Sequence, residues 1–509
     1  MRSHVPSTSR PVHDLGEIVK AYDIRGTVPD QLDPEVCRAL GVAFADVVVL
    51  PGADGALSGV RPRAVVGHDM RDSGPALVDA FTQGLVSRGV DVVLVGLCST
   101  DGLYHASGDL DVPGAMFTAS HNPARYNGIK FCRAGARPVG ADSGLVQVRE
   151  AAARLLAREV AGLTGAEGAG GAHGDTATRD AVPPGAVVER DTLTGYARLL
   201  RSLVDVSDVR PLKVVVDAGN GMAGLTVPAV LGTDAGLPAL PLEVVPLYFE
   251  LDGTFPNHEA NPLDPRNLVD LQAAVVEHQA DIGLAFDGDA DRCFVVDEQG
   301  RAVSPSAVTA LVGLREVARE RSAGRTPTVI HNLITSQVVP ELLGAAGARV
   351  VRSRVGHSFI KAQMAEHGAV FGGEHSAHYY FRDFFFADTG MLAALHVIAA
   401  LGEQDAPLSA LVAELAPYAA SGEINTPVTS SAAADDAVAR VVDAWVTGDH
   451  GVTLDHLDGL TVSHWSVEPR WWFSLRSSNT EPLLRLNVEA ADPVVMAEVR
   501  DTVLALVRG

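Results

Sequence analysis

The chain has 509 residues, of which 47% are hydrophobic and 20% charged, and its formal net charge is −23. This length exceeds what one hydrophobic core supports and predicts three or four domains. So negative a chain repels nucleic acid and anionic membranes, and an anionic substrate would need a local cluster of cations. We therefore expect neither nucleic acid nor membrane as a partner.

The cysteines and the N-terminal residues favour a reducing compartment. Cys37, Cys98, Cys132 and Cys293 form no C-x-x-C pair, and Cys98 and Cys293 lie in or beside apolar runs, as small buried hydrophobes do. The N-terminal sequence MRSHVPSTSRPVHD has no apolar segment typical of a secretory signal. No stretch approaches 18 uncharged apolar residues. We expect a cytoplasmic protein.

In chain order, nine short runs rich in Val and Ile predict β-strands in three groups of three. These runs are residues 63–69, 91–97, 114–120, 213–219, 242–248, 281–287, 328–333, 348–354 and 369–375. Amphipathic segments such as 74–88 and 267–279 separate them, so each group is typical of a β-α-β-α-β unit. The sequence predicts three successive similar α/β domains with mixed sheets.

Two segments depart from this pattern. Residues 162–186 are rich in Gly, Ala and Pro without periodicity, which predicts a flexible insertion. After about residue 420, a helical stretch at 432–445, several strand-like runs and a terminal helix from Pro493 predict a smaller α+β domain. The predicted domains are residues 14–161, 187–301, 302–420 and 421–509.

A polar loop follows the third strand of each α/β unit. The loops read ASHNP, DGDADR and GEHSAH, and after each comes a strand-like piece close enough to fold back antiparallel. Ligands of open α/β sheets bind beyond the carboxyl ends of the strands. Three such loops at equivalent positions therefore predict a shared ligand site.

The first loop lies in TASHNPARYNGIKF, residues 118–131, and presents Ser120 at the end of a predicted strand. Asn122 and Pro123 suit an ordinary turn, which does not require the cations Arg125 and Lys130 nearby. A serine that carries or receives an anionic group would require them. The loop by itself is compatible with both interpretations.

The second loop places Asp287, Asp289 and Asp291 at alternate positions after an apolar strand. Three adjacent carboxylates need a cation to stay ionised, and hard oxygen ligands select Mg²⁺ or Ca²⁺. An EF-hand would explain Glu298 at position 12, but position 6 is Arg292 instead of the glycine that its sharp turn requires. An aspartate nucleophile of the phosphatase type is a second alternative, and Asp291 suits it less well than a metal site.

The remaining polar loops offer groups that bind a sugar phosphate. Glu374 and Ser376 would point the same way if their segment is extended, and could bridge vicinal hydroxyls. His375 and His378 could equally be packing residues. In the C-terminal domain, RSSNTEP (476–482) supplies a guanidinium, hydroxyls and an amide that suit a phosphate, although such a run also begins helices.

Taken with six further motifs, these four loops resemble one family. The motifs are KAYDIRG (20–26), GHDMRDSG (67–74), VVVDAGNGMAG (214–224), DGTFPNHEANP (252–262), RVGHSFIK (354–361) and LRSSNTEPLLRL (475–486). The chain resembles the α-D-phosphohexomutase superfamily, and most closely its bacterial phosphomannomutase/phosphoglucomutase branch. The resemblance covers residue 17 to the C-terminus and implies four domains around a central cleft.

The resemblance also implies the site residues. Ser120 would be the residue phosphorylated in the active enzyme, and Asp287, Asp289 and Asp291 would bind Mg²⁺ together with an oxygen of that phosphate. Arg292 would lie close to the phosphoserine. The remaining cleft-lining residues are implied to be Tyr22, Arg25, His121, Lys130, His357 and His378, of which Arg25, Lys130, His357 and His378 include the acid/base groups.

Substrate groups are implied in the same way. Glu374 and Ser376 would hold sugar O3 and O4, and the distal phosphate would be bound by Arg476, Ser478, Asn479 and Thr480. The implied reaction interconverts mannose 6-phosphate and mannose 1-phosphate through phospho-Ser120 and a hexose 1,6-bisphosphate. The spelling EHSAH favours mannose; a glucose-preferring phosphoglucomutase and a catalytically silent sugar-phosphate-binding relative are the alternatives.

The chain departs from the family at two points. Asp101 follows Thr100 where many relatives have proline, a difference that we expect to affect a turn and not catalysis. The insertion at 162–186 is longer than a family linker needs to be.

Overall fold

The computed structural model describes residues 14–53, 61–164, 183–446, 451–477 and 482–509. Within them, the chain forms three α/β domains and a C-terminal α+β domain, each around its own sheet. This confirms the predicted fold class. Among the described residues, no helix combines the length and the apolar character needed to cross a bilayer.

Domain 1 contains seven strands and six helices. The strands are β1 (Ile24–Thr27), β2 (Arg63–His68), β3 (Asp91–Leu97), β4 (Gly114–Phe117), β5 (Tyr126–Arg133), β6 (Arg137–Pro138) and β7 (Val187–Glu189). The helices are α1 (Leu15–Ile18), α2 (Pro34–Phe44), α3 (Leu50–Ala53), α4 (Gly74–Ser87), α5 (Thr100–Leu110) and α6 (Leu145–Thr164). The sheet order is β1-β5-β4-β2-β3-β7, with β6 paired to β5.

Domain 2 repeats this plan with five strands. They are β8 (Leu212–Asp217), β9 (Leu242–Leu247), β10 (Ile282–Phe286), β11 (Cys293–Asp297) and β12 (Ala302–Val303), in the order β12-β11-β10-β8-β9. Its helices are α7 (Leu193–Leu203), α8 (Ala223–Val230) and α9 (Val269–Glu277).

Domain 3 has the same five-stranded plan as domain 2. Its strands are β13 (Thr328–Asn332), β14 (Arg349–Ser353), β15 (Phe371–Gly373), β16 (Tyr379–Phe381) and β17 (Ala387–Asp388), in the order β14-β13-β15-β16-β17. Its helices are α10 (Pro305–Ser322), α11 (Val338–Ala345), α12 (His357–His367), α13 (Gly390–Gly402) and α14 (Leu408–Ala413).

Domain 4 has a purely antiparallel sheet. Its strands are β18 (Ala419–Pro427), β19 (Thr453–Asp455), β20 (Leu460–Ser463), β21 (Trp471–Ser477) and β22 (Leu483–Ala490), in the order β18-β22-β21-β20-β19. Its helices are α15 (Ser431–Val446) and α16 (Pro493–Arg508). Asp492 begins α16 by accepting hydrogen bonds from two amides of its first turn, and Pro493 follows with a backbone angle that suits this position.

The three α/β sheets share one pairing scheme. The first strand of each unit (β2, β8 or β13) lies parallel between the other two, and a fourth strand returns antiparallel to the third, as predicted. The polar loops connect the third strand to this returning strand. All three loops therefore leave the carboxyl edge of a parallel strand set, where α/β sheets bind ligands.

The structure differs from the sequence reading near the predicted insertion. Val187–Glu189, placed in domain 2 by the sequence, forms strand β7 and pairs parallel with Val92–Leu94 of domain 1. Residues 162–164 continue α6 instead of beginning the insertion. Both segments are short, and their positions depend on neighbours that the local sequence does not reveal. Residues 165–182 lie outside the described ones.

Candidate active site

The first polar loop, which we call the serine loop (residues 118–125), connects β4 to β5. Ser120 lies in it with φ of +49°, a left-handed conformation that costs a non-glycine residue energy and is often found at functional sites. Its amide donates to Thr118 Oγ1 at 2.8 Å. The residue is 3% exposed, so its hydroxyl faces the protein interior.

Arg71 holds the serine loop in this conformation. Its buried guanidinium donates to the carbonyl oxygens of Ser120 (2.9 Å) and Asn122 (2.6 Å) and to two more carbonyls of the loop and β5. Asp69 pairs with the same guanidinium at 3.2 Å. Sequence reasoning assigned no role to Arg71; the Asp-x-Arg spacing in GHDMRDSG is the signal that could have suggested one.

The second loop, residues 287–292, connects β10 to β11 and is called the acidic loop. The carboxylates of Asp287, Asp289 and Asp291 are buried and offer ligand atoms within 4.8 Å of one another. The Oδ1 atoms of Asp289 and Asp291 have no hydrogen-bond partner in the described part of the chain, which fits a site for a divalent cation. Strands on both sides of the loop exclude the helix–loop–helix of an EF-hand.

The serine loop and the acidic loop meet directly. Ser120 Oγ donates to Asp287 Oδ2 at 2.8 Å. Lys130 Nζ lies 2.7 Å from Asp289 Oδ2 and 2.6 Å from Asp291 Oδ2. These contacts join side chains of two domains, 159 to 167 residues apart in sequence. Of the two cations that the sequence places near Ser120, Lys130 therefore contacts the acidic loop, whereas Arg125 is exposed and lies over the ring of Tyr126.

The charges of this cluster shift its pKa values in opposite directions. Burial raises the pKa of Asp287, although Arg292 opposes this effect. Burial would also raise the pKa of Asp289, but Lys130 lowers it below its ordinary value. Burial would lower the pKa of Lys130, yet the two carboxylates raise it. Lys130 is thus an ammonium held among anions, which differs from the low-pKa lysine among cations that acid/base catalysis would need.

His121 lies between the serine and the acidic loop. Its Nδ1 is 3.2 Å from Ser120 Oγ and accepts a hydrogen bond from Arg292 Nη2 at 2.7 Å. Burial and the positive charges of Arg292 and Arg25 lower the pKa of His121 well below its ordinary value. The imidazole is therefore neutral near pH 7.

A cavity of about 100 Å³ opens beside these groups. Its lining comes from three domains and consists of Tyr22, Asp23, Arg25, Tyr104, Ser120, His121, Lys130, Asp291, Arg292, His378 and Asp388. His378 Nε2 lies 3.7 Å from Asp291 Oδ1, and its Nδ1 lies 3.0 Å from Ser376 Oγ. The structure thus brings most of the residues expected from the resemblance to one place. Asp23, Tyr104 and Asp388 are lining residues that sequence reasoning missed.

The third loop has a different shape from the expected one. Glu374 to Ala377 form a turn in which Ala377 has φ of +65°, so Glu374 and Ser376 are not on one face of an extended segment. The buried carboxylate of Glu374 instead accepts from Tyr380 Oη at 2.5 Å and from Asn332 Nδ2 at 3.1 Å. The alternation rule fails here because the strand ends at Gly373.

Arg476 stands near the end of β21 in domain 4. Its Nη2 donates to Glu423 Oε2 at 3.0 Å, while its buried Nε has no partner among the described residues. Burial lowers the pKa of Arg476, although Glu423 opposes this effect. The flanking elements β21 and β22 are strands, which contradicts a helix start at RSSNTEP. Ser478, Asn479, Thr480 and the side chain of His357 lie outside the described residues.

The domain models of one family match almost the whole chain. These are the α/β/α domains I, II and III of phosphoglucomutase/phosphomannomutase, at residues 16–152, 194–300 and 305–418, and the C-terminal domain of that family at residues 423–506.

Characterised relatives and solved structures match with similar coverage. The phosphohexose mutases of Xanthomonas campestris pv. campestris are 40% identical, covering 96% of this chain and 99% of theirs. The phosphomannomutase of Salmonella typhimurium is 38% identical, covering 96% and 98%. A phosphoglucomutase/phosphomannomutase family protein from Burkholderia thailandensis superposes with a TM-score of 0.78 at 29% identity, covering 97% and 98%. The chain belongs to the phosphoglucomutase/phosphomannomutase family.

Proposed function

We propose that this protein interconverts mannose 6-phosphate and mannose 1-phosphate, with Ser120 as the residue that carries the transferable phosphoryl group. The observation that carries the proposal is the contact between Ser120 Oγ and Asp287 Oδ2, at 2.8 Å, within a cluster of three carboxylates. A serine phosphate there would lie beside cations of two domains. Relatives named phosphomannomutase, at 36% and 38% identity, support the choice of mannose.

The acidic loop would hold Mg²⁺ through Asp287, Asp289 and Asp291, and oxygen ligands of this kind suit it. Bound there, the ion would neutralise charge on the phosphoryl group during transfer. Lys130 and Arg292 would offset the negative charge of the carboxylates and the phosphate that Mg²⁺ does not neutralise. We expect hexose phosphates as substrates and a hexose 1,6-bisphosphate as intermediate.

The proposed chemistry consists of two phosphoryl transfers. In the first, phosphorus bonds to the sugar hydroxyl oxygen as its bond to Ser120 Oγ breaks; the sugar hydroxyl proton passes to a base, and Ser120 Oγ takes a proton. In the second, Ser120 Oγ gives its proton to a base and bonds to the other phosphorus of the bisphosphate, the bond between that phosphorus and its sugar oxygen breaks, and the sugar oxygen takes a proton. His378 is a candidate for this proton exchange, because it lines the cavity beside Ser120 and its Nε2 lies 3.7 Å from Asp291 Oδ1.

Among the described residues, Glu374, Ser376 and Arg476 do not line the cavity. We propose that Glu374 and Ser376 contact sugar hydroxyls and that Arg476, with Ser478, Asn479 and Thr480, binds the phosphate that does not react. The pair between Arg476 and Glu423 supports this role, because a phosphate could compete with Glu423 for the guanidinium.

Intact-mass measurement tests the phosphoserine. Incubation with a hexose 1,6-bisphosphate should increase a fraction one phosphoryl group heavier, and peptide mapping should place the group on Ser120 and not on Ser73 or Ser99. Ser120→Ala should abolish mutase activity, whereas Ser322→Ala, at an exposed serine late in α10, should not. A fully active Ser120→Ala enzyme would refute the proposed mechanism.

Coupled assays with mannose 1-phosphate and glucose 1-phosphate test the substrate. A mannose rate far below the glucose rate would make the protein a glucose-preferring phosphoglucomutase. Binding of both sugars without turnover of either would indicate a silent relative. A cytoplasmic location stays a prediction.

A further inference from the structure

Asp101 is a buried carboxylate that contacts three domains. It lies in the first turn of α5 and is 0% exposed. Its Oδ2 accepts hydrogen bonds from Tyr196 Oη of domain 2 and Thr389 Oγ1 of domain 3, both at 2.6 Å. Its Oδ1 accepts from the hydroxyl of Ser99 in domain 1. The sequence reading assigned this position an effect on a turn only.

Burying this carboxylate is costly. Among the described residues Asp101 has no ion-pair partner, and burial raises its pKa to about 6 although the three hydroxyls oppose the shift. A carboxylate accepts hydrogen bonds only, so each hydroxyl must turn its hydrogen toward Asp101. If Asp101 only stabilised the positive N-terminal end of the α5 helix dipole, it could do so from the protein surface. The burial therefore points to a role between domains.

The contacts of Asp101 lie directly behind the candidate active site. Its neighbour Thr100 donates through Oγ1 to Asp289 Oδ2 at 2.6 Å and through its amide to the Asp289 carbonyl at 3.0 Å. On the other side, Thr389 follows Asp388, a residue of the cavity lining, and its amide donates to the carbonyl of Tyr379. A shift at Asp101 would thus reach both the acidic loop and the strand after His378.

We propose that Asp101 is a positioning residue, which fixes domains 1, 2 and 3 so that Ser120, the acidic loop and His378 face one another. The inference rests on the proposed phosphoryl transfer, because it assigns Asp101 to the geometry of that step. In-line transfer is sensitive to displacement, and an error of 1 Å can reduce turnover about 100-fold.

The test compares Asp101→Ala and Tyr196→Phe with the control Asp109→Ala. Asp109 is on the same helix, but its pair with Arg190 is exposed. In Asp101→Ala we expect kcat to fall by about 100-fold. In Tyr196→Phe, which loses one hydroxyl and keeps its ring, we expect kcat to fall by about tenfold. Because the groups that hold the substrate are untouched, KM in both variants should stay within about twofold of the wild-type value. The control Asp109→Ala should match the wild type in both constants.

Two further measurements separate positioning from simple loss of folding. Combining Asp101→Ala with Tyr196→Phe should lower kcat no more than Asp101→Ala alone, because Asp101→Ala already removes the acceptor of the Tyr196 hydroxyl. Amide exchange in Tyr196→Phe should rise in peptides covering residues 98–103 and 387–393, with the rest of the chain unchanged.

Wild-type kcat in Tyr196→Phe, or additive losses in the double variant, would overturn the inference. So would a rise in KM that equals the loss in kcat. If the wild-type enzyme itself carried no phosphate on Ser120, the proposed function would fail instead, and the exchange measurement would still report whether Asp101 connects the domains.

Discussion

The carboxylate of Asp289 has two different oxygens: Oδ2 accepts hydrogen bonds from Lys130 and Thr100, while Oδ1 accepts none from the described residues. We predict that Asp289→Asn raises the Mg²⁺ concentration needed for half-maximal activity and lowers turnover severely, because it removes one ligand charge. The variant should also lose about 2 kcal/mol of unfolding free energy, because a buried ammonium loses a charged acceptor. Mg²⁺ titrations and urea unfolding measure both effects, and an unchanged Mg²⁺ dependence would contradict the assignment.

His258 offers a pH-dependent test at a residue away from the acidic loop. Its Nε2 lies 3.0 Å from Asp217 Oδ2 at the end of β8. Burial alone would lower the pKa of His258, but the hydrogen bond and charge of Asp217 raise it above its ordinary value. A raised pKa in the folded state stabilises the protein fully below the unfolded pKa of about 6.5, and this gain disappears as pH rises through the folded value.

We therefore predict that His258→Gln loses more unfolding free energy at about pH 5.5 than at about pH 8.5. Urea unfolding at the two pH values measures the effect. If His258→Gln lost the same unfolding free energy at both pH values, Asp217 would not bind the charged form of His258.

At the scale of elements, strand β21 positions Arg476 in domain 4, where it pairs with Glu423 on β18. We predict that Arg476→Ala raises KM by about tenfold and also lowers kcat, because binding the distal phosphate positions the reacting end. Steady-state kinetics measure both constants. Arg500→Ala, at a surface arginine of α16 paired with Asp501, is the control. Wild-type constants in Arg476→Ala would remove this arginine from the phosphate site.

At the scale of the whole molecule, the hydrophobic cores do not follow the four sheets one by one. Buried residues of domains 2 and 3 form one continuous core, which also includes Met70, Tyr104, Cys132 and Ala136 of domain 1, whereas domain 4 has a core of its own. Domain 4 contacts domain 3 through polar groups, such as the Gln337 amide to Glu489 Oε2 at 2.9 Å and the Val355 amide to Asp458 Oδ2 at 3.1 Å. We infer that domain 4 unfolds separately.

The prediction uses two fully buried phenylalanines. Phe473→Ala in domain 4 and Phe371→Ala in domain 3 should each cost about 3–5 kcal/mol. In calorimetry, Phe473→Ala should lower the midpoint temperature of the domain 4 transition only. Phe371→Ala should lower the midpoint temperature of the transition shared by domains 2 and 3. Equal shifts of a single transition in both variants would show that all domains unfold together.

The sequence by itself determined the local features. The nine predicted strands appear within three residues of their predicted bounds, because strand patterns and the turns after them depend on neighbouring residues. Asp287, Asp289 and Asp291 could be identified as a cation site for the same reason, since alternate positions in one loop stay close in any compact conformation. The order of the four loops carried the family resemblance.

Only the tertiary structure decided which loops meet and how. Thr100 is 189 residues from Asp289, and Asp101 is 288 residues from Thr389, so no local pattern connects them. The paired state of Lys130, the support of the serine loop by Arg71 and the turn at Glu374 likewise depend on neighbours that only the packed domains bring close. A hydrogen bond requires two groups within about 3 Å, and between domains that distance follows from how the domains pack.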